Sequence, residues 1–273
     1  MTSVAIVGCG TIGTALAQAI ARDHGQAAQV IALVDPNRAH ALRLQAQLTP
    51  RPTICILSDA IRRCRLIVEA ASATVSSRVA RLALAADRDV LIMSTGGLLL
   101  GPSTWRAKAR RSRGRLLVPS GGLCGLDGAK AMAVGTIRRI RLTTRKPPKG
   151  LSTAPFVLAR RLRLDRLRRP RLLFEGSPRQ AVTAFPQNTN VAATLALACV
   201  GAIQPVPDVI VRVIADPTTT LNSHEVEIDG DAGRLRSRLE SRPAVTNPKT
   251  SEMAVRSAMA TIRQYFEPVR IGT

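Results

Sequence analysis

Val4-Ala5-Ile6-Val7-Gly8-Cys9-Gly10-Thr11-Ile12-Gly13 decides the fold of this chain. Four consecutive apolar residues have the texture of a buried parallel strand. They run straight into G-x-G-x-x-G, after which Ile12, Leu16, Ala19 and Ile20 recur on one helical face. In that strand–turn–helix setting the glycines form a dinucleotide cradle. Gly8 permits the turn, Gly10 lets backbone approach a pyrophosphate, and Gly13 allows the helix to pack close to the strand. The backbone of Thr11 and Ile12, at the helix N-terminus, then offers N–H groups and partial positive charge to phosphate. A second apolar strand, Val30 to Val34, ends in Asp35. A carboxylate there accepts hydrogen bonds from a ribose diol and repels a 2′-phosphate, which favours NAD, with NADP as the alternative.

Working outward, the alternation of strand and helix continues. Helix is expected over Arg38 to Gln47, strand at Cys55-Ile56-Leu57, and a short helix capped by Ser58 as far as Arg63. Further strands are expected at Leu66 to Ala70, Val90 to Met93 and Arg115 to Val118, with helices at Val75 to Ala86 and Ser103 to Arg111. Ser72, in Glu69-Ala70-Ala71-Ser72, falls at the carboxyl edge where doubly wound sheets take ligands. Ser94-Thr95-Gly96-Gly97 reads as a flexible polar turn. The fold class is therefore α/β, with a Rossmann-type doubly wound parallel sheet. From Pro119 the texture changes. Ser120-Gly121-Gly122 opens a glycine-dense loop suited either to the nicotinamide end of a dinucleotide or to a hinge, and an Ala-rich helix follows over Gly128 to Val134. A second, α+β domain is expected, with strands Ile137 to Thr144, Arg171 to Glu175, Val209 to Asp216 and His224 to Ile228. Its helices are Ser177 to Phe185 and Asn190 to Val200, with Asn190 as N-cap and potential ligand donor. Arg139, Arg141 and Thr143 alternate with Ile140 and Leu142, the pattern of a sheet with one open face. Asn247-Pro248-Lys249-Thr250-Ser251 reads as the start of a final helix.

The chain has 273 residues and a net charge of +22, and only five of its forty basic residues are Lys. Such a charge is the footprint of a polyanion-binding protein or the result of arginines scattered over solvated faces. Arg106 to Arg115 and Arg160 to Arg171 are the densest clusters. Aromatic residues make up only 2% of the chain, too few for the stacking platforms that nucleic-acid binding needs, so a nucleic-acid partner is not expected. Five unpatterned cysteines imply reduced thiols and no metal site. With Val4 to Val7 as a strand rather than a signal peptide, and no apolar run long enough to span a bilayer, a cytoplasmic setting without membrane contact is expected.

Of three histidines, His24 and His40 lie in charged, helix-like surroundings and read as solvated, whereas His224 sits where a polar turn enters a strand. Its side chain titrates closest to neutrality and suits acid/base work or a merely structural place. Several separated motifs then match one family. Besides the glycine cradle they are Glu69-Ala70-Ala71-Ser72, Pro119-Ser120-Gly121-Gly122, Thr144-Arg145-Lys146-Pro147-Pro148, Phe174-Glu175-Gly176-Ser177 and Phe185 to Thr194. Ala215-Asp216-Pro217, Asn222-Ser223-His224-Glu225 and Asn247-Pro248-Lys249-Thr250-Ser251 complete the set. In this order the chain resembles the L-aspartate dehydrogenases. The resemblance implies a dinucleotide-binding domain over 1–118, with a C-terminal helix, 247–273, packing back on it. It also implies a domain over 119–246 carrying the active site and a homodimer interface. It makes His224 the catalytic residue and Asn190 and Gly122 NAD contacts, Gly122 standing where alanine is usual, so that binding is expected to survive but loosen. The segment from Ala202 to Asp208 looks longer than the family's usual connection. The substrate implied is a dicarboxylic amino acid, for which Arg145, Lys146 and Lys249 supply cations, while Asn222, on the side of His224 in an extended stretch, is placed either to hold the loop or to orient substrate. Asp216 is a candidate partner for His224. The expected reaction is NAD(P)-dependent deamination of L-aspartate or its reverse, with a link to NAD synthesis. Against it stand a homoserine-dehydrogenase-like or dihydrodipicolinate-reductase-like enzyme, and a non-enzymatic nucleotide- or nucleic-acid-binding protein.

Overall fold

A computed structural model describes residues 1–186, 188–199, 209–244 and 247–272, without the side chains of 247–250. The segment from Ala202 to Asp208 therefore lies outside the described residues. Two compact units emerge, Met1–Pro119 with Val255–Arg270, and Ser120–Ala254 with the residues from Ile271.

In the first unit the strands are β1 (Thr2–Val7), β2 (Ala28–Val34), β3 (Thr53–Ile54), β4 (Leu66–Glu69), β5 (Asp89–Ile92) and β6 (Leu116–Leu117). They form one parallel sheet in the order β3-β2-β1-β4-β5-β6. The helices are α1 (Thr11–Asp23), α2 (Arg38–Gln45), α3 (Leu57–Arg63), α4 (Ala73–Ala85), α5 (Thr95–Leu100) and α6 (Thr104–Ala109). This is the doubly wound sheet expected, and β4 and β5 are buried at every residue, as central parallel strands are. Three local expectations fail. Leu57 is the first residue of α3 rather than the end of a strand, and Ser58 lies inside that helix, with Ile56 at the N-cap. Ser94 to Gly97 is no flexible turn. Thr95 to Gly97 open α5, and a Cβ on Gly97 would come within 2.0 Å of the Ala73 carbonyl oxygen, so the glycine serves close packing on α4. His24 is not simply solvated, since its ring lies 5.1 Å from that of Phe266.

The second unit holds α7 (Leu126–Met132), β7 (Ile137–Lys146), α8 (Pro155–Ala159), β8 (Arg171–Gly176), α9 (Pro178–Ala184), α10 (Asn190–Ala198), β9 (Val209–Ala215), β10 (Asn222–Gly230) and β11 (Gly233–Ser241). The sheet runs β11-β10-β7-β9-β8, antiparallel except for the β7–β9 pair. Ile140, Leu142, Val211, Val226 and Ile228 bury one face against Ala192 and Leu195 of α10 and Ala181 of α9. The other face is open and carries cross-strand ion pairs, among them Arg141–Glu227 at 3.4 Å, Arg212–Glu175 at 2.9 Å and Arg236–Glu225 at 2.6 Å. Three of the chain's four phenylalanines, 156, 174 and 185, pack edge-on or tilted beside β9, where Leu164 is also buried. The arginine-rich stretch from 160 to 171 is anchored there by Leu162, Leu164 and Leu167.

Strand β11 was not foreseen. Asn190 is the first helical residue of α10 and Thr189 its N-cap. The Thr189 hydroxyl is committed elsewhere, donating to the carbonyls of Ala181 and Phe185. The final helix also starts later than Asn247. Residues Asn247–Ser251 form a strand, β13, paired with β12 (Pro243–Ala244), and α11 covers Glu252–Phe266. Pairing with β12 satisfies the backbone that a helix would otherwise have used, and Ser251 Oγ accepts from the Met253 N–H at the helix start. Within the first unit, Ala258 and Ile262 of α11 join the core of Leu16, Ala17 and Ile20, and the Tyr265 hydroxyl donates to Asp89 at 2.7 Å.

Candidate active site

The cradle in the first unit has the shape its glycines predict. Gly8 sits at φ +94, and a Cβ there would press 2.7 Å from Ala70 and Ala71. On Gly13 it would lie 1.8 Å from the Gly8 carbonyl oxygen, whereas on Gly10 it would meet nothing within 4 Å. Gly10 is thus the open wall of the turn. It is also the N-cap of α1, makes no side-chain cap bond, and is followed by a first turn without an acidic residue. Such a helix start fits a pyrophosphate. Asp35, its side chain 8% exposed, accepts from the Cys9 N–H at 2.7 Å and from Asn37 N–H at 2.8 Å. The carboxylate that would face a ribose therefore also braces the glycine turn, and His40 stands 3.9 Å from it.

Ser72 is exposed at the N-cap of α4, its hydroxyl 2.7 Å from Thr74 Oγ1. Behind it Glu69 is fully buried and accepts N–H bonds from Ala71, Ser72 and Ser94, tying together the turns after β4 and β5. Burial pushes Glu69 above the ordinary carboxylate range in spite of those donors. Burial also raises Cys9 to about 12 and Cys64 and Cys199 to about 11, so these thiols are inert.

In the second unit a polar patch closes one end of the apolar sheet face. Register pairs His224 with Thr144 and Ser223 with Arg145, and Asn222 and Lys146 are the next residues of the two strands. Side chains two apart on a strand share a face, so His224, Thr144, Asn222 and Lys146 form a block above Leu142 and Val226. All four are buried, His224 at 3% and Lys146 at 3% exposure. Thr144 Oγ1 lies 3.0 Å from His224 Nδ1, and Lys146 Nζ donates to Asn188 Oδ1 at 2.9 Å. Asn222 is 1% exposed and its Nδ2 has no hydrogen-bond partner among the described residues. Burial, reinforced by the Lys146 charge, drops His224 to about 3, so the ring is neutral; burial alone lowers Lys146 to about 8. The Gly121–Gly122 turn lies against Val191 and the histidine, and a Cβ on Gly122 would stand 2.9 Å from His224 Cδ2 and 3.2 Å from Nε2. The missing methyl therefore leaves room for the imidazole. Asn190, half-buried, opens α10 just beyond Asn188.

The structure separates residues that adjacency had grouped. Arg145 lies on the opposite sheet face from Lys146 and pairs with Asp216 at 2.8 Å. Asp216 also accepts from the Thr218 N–H and hydroxyl. Against the desolvation of its site, the Thr218 and Arg145 hydrogen bonds hold it below the ordinary carboxylate range. Asp216 is thus Arg145's partner and not that of His224. Lys249 falls on β13, and its side chain lies outside the described residues. Thr144 and Asn188 also belong to the patch, and both lie inside the quoted motifs. The signal that finds Thr144 is its alternation with Lys146 combined with the β7–β10 register.

Residues 127–265 match the family model described as aspartate dehydrogenase, C-terminal, and residues 8–119 match that described as homoserine dehydrogenase, NAD binding domain. The chain is 39% identical over 277 residues to an L-aspartate dehydrogenase of Methanosarcina acetivorans, covering 100% of both chains. The chain belongs to the aspartate dehydrogenase family. Another relative, L-aspartate dehydrogenase 3 of Bordetella bronchiseptica, is 39% identical over 272 residues, with 99% of this chain and 97% of that one covered. The fold agrees with the crystal structure of the family's Thermotoga maritima aspartate dehydrogenase at a TM-score of 0.73, with 24% identity and 100% of both chains covered. Among the described residues of this family member no helix is long and apolar enough to cross a membrane.

Proposed function

We propose that this chain is an NAD-dependent L-aspartate dehydrogenase, oxidising L-aspartate to iminosuccinate, which hydrolyses to oxaloacetate and ammonia, or running the reverse amination. The observation that carries this reading is a buried neutral histidine sharing one sheet face with a buried lysine, in a chain aligned end to end with L-aspartate dehydrogenases. The family model for the homoserine dehydrogenase NAD binding domain matches 8–119 alone, whereas the model that matches 127–265 is that of aspartate dehydrogenase.

Gly8, Gly10, Gly13 and the N–H groups of Thr11 and Ile12 would hold the dinucleotide phosphates, Asp35 the ribose, and Ser72 would add a contact; the family resemblance makes Gly122 and Asn190 NAD contacts as well. Bound NAD supplies the hydride acceptor. Asp35 disfavours a 2′-phosphate, so NAD is preferred over NADP. Lys146 gives a point charge for one substrate carboxylate, and the unpartnered Asn222 amide a donor for the same group. His224 is neutral in the free protein; a bound dicarboxylate that offsets the Lys146 charge favours its taking a proton from the substrate ammonium or from water, leaving the amine able to assist departure of the Cα hydrogen. Lys249 is a further cation for the second carboxylate. The family resemblance also supports a homodimer and a product that feeds NAD synthesis, and the inert reduced thiols suit the cytoplasm.

Purified protein with L-aspartate and NAD at alkaline pH should form NADH, and His224→Ala should lose about 10²- to 10⁴-fold in kcat with NAD affinity retained. No turnover in either direction, with homoserine as the comparison substrate, would overturn the assignment.

A further inference from the structure

We propose that Thr144 is the positioning residue of His224, accepting its Nδ1–H so that Nε2 is the nitrogen that exchanges protons. The inference rests on the acid/base reading of His224 and goes beyond it to the group that sets the tautomer. Thr144 is fully buried, and the antiparallel β7–β10 register places it directly across from His224, with Oγ1 at 3.0 Å from Nδ1. Among the described residues that hydroxyl is the hydrogen-bond partner of the ring. Its β-branched side chain has few rotamers, so the oxygen is held in place while its hydrogen stays free to rotate. The opposite ring edge, Cδ2 and Nε2, faces the side-chain-free Gly122.

The direction of the bond follows from the demands of proton exchange. A ring that takes a proton at Nε2 carries hydrogen on Nδ1 both before, as neutral imidazole, and after, as imidazolium. A Thr144 hydroxyl that accepts from Nδ1–H partners both states without moving. A hydroxyl that donated to Nδ1 would leave hydrogen on Nε2 and only a shielded nitrogen to take a proton. Burial, and after it the charge of Lys146 on the same face, opposes a second proton on the resting ring, so it is between the two neutral tautomers that Thr144 selects.

The test combines nitrogen NMR with two substitutions in the full-length protein. With only three histidines, ¹⁵N-histidine labelling and a His224→Asn reference spectrum assign His224. The expected wild-type pattern is protonated Nδ1 and bare Nε2. Thr144→Val, nearly isosteric, should mix or reverse the tautomers and lower kcat about 10- to 100-fold with KM for aspartate changed little, and Thr144→Ser should restore both. A wild-type spectrum with protonated Nε2 would overturn the proposal, as would a Thr144→Val protein with wild-type tautomer and kcat. If the valine variant fails to fold, the wild-type spectrum and the serine variant still decide. Absence of aspartate turnover in the wild type speaks against the enzymatic reading alone, and the tautomer is read independently of it.

Discussion

At the scale of single residues, His224 couples function to stability. Its folded pKa is about 3, against about 6.5 for a histidine in an unfolded chain. Between those values the unfolded chain binds a proton that the folded one refuses, so stability is full above pH 6.5 and falls as the pH drops toward 3. From pH 7 to pH 5 the loss attributable to this residue is about 2 kcal/mol. Urea unfolding at the two pH values should show that loss in the wild type and its absence in His224→Asn. Gly122 is the second residue of consequence. Ala at 122 must push the imidazole by a few tenths of an ångström, because its Cβ would lie 2.9 Å from Cδ2. Misplacing a reacting group by that much costs about 10-fold in kcat. Steady-state kinetics should find that loss with NAD affinity, measured by fluorescence titration, equal to wild type or tighter.

At the scale of the element, β7 sorts its basic residues by alternation. Arg145 and Lys146 are neighbours in sequence, yet one pairs with Asp216 on the open face and the other sits in the buried patch. Arg145→Ala should therefore leave KM for aspartate within about three-fold, while Lys146→Gln should raise it about 30-fold or more, the loss of one desolvated charge-assisted contact. Lys146 is charged below its pKa of about 8 and neutral above it. The wild-type KM should accordingly climb as pH rises through 8, and initial-rate kinetics should show that limb vanish in Lys146→Gln. The alternation along β7 was legible because Ile140 and Leu142 interleave with Arg139, Arg141 and Thr143. The same pattern exists in β11, where Leu235 and Leu239 alternate with Arg234, Arg236 and Arg238, but the density of charge there hid a half-exposed strand. The helix expected from Asn247 misled for another reason. Pro and a polar residue at a helix start are equally compatible with a short strand, and pairing with Pro243–Ala244 decided the matter.

For the whole molecule, each unit owes its core to segments distant in sequence. Ile262 of α11 is 1% exposed and clusters with Leu16 and Ile20 near the other end of the chain. Ile262→Ala should cost about 2–5 kcal/mol, read as a lowered thermal midpoint that added NAD partly restores. The charge of +22 is carried by exposed and half-exposed arginines, several of them paired across the open sheet face, and the buried cores hold none among the described residues. What the sequence by itself determined is local: the glycine turn between strand and helix, the acidic end of β2, the apolar periodicity of the elements and the alternation within β7. Those follow from backbone sterics and from hydrophobic spacing over a few residues. Which residues meet was decided by the tertiary structure alone. Thr144 and His224 are 80 positions apart, and Lys146 and Asn188 are 42 apart. A strand's period says which side chains share a face, but register comes from backbone hydrogen bonds to a partner strand elsewhere in the chain. That register placed a threonine rather than Asp216 against the histidine, and turned Arg145 away from it.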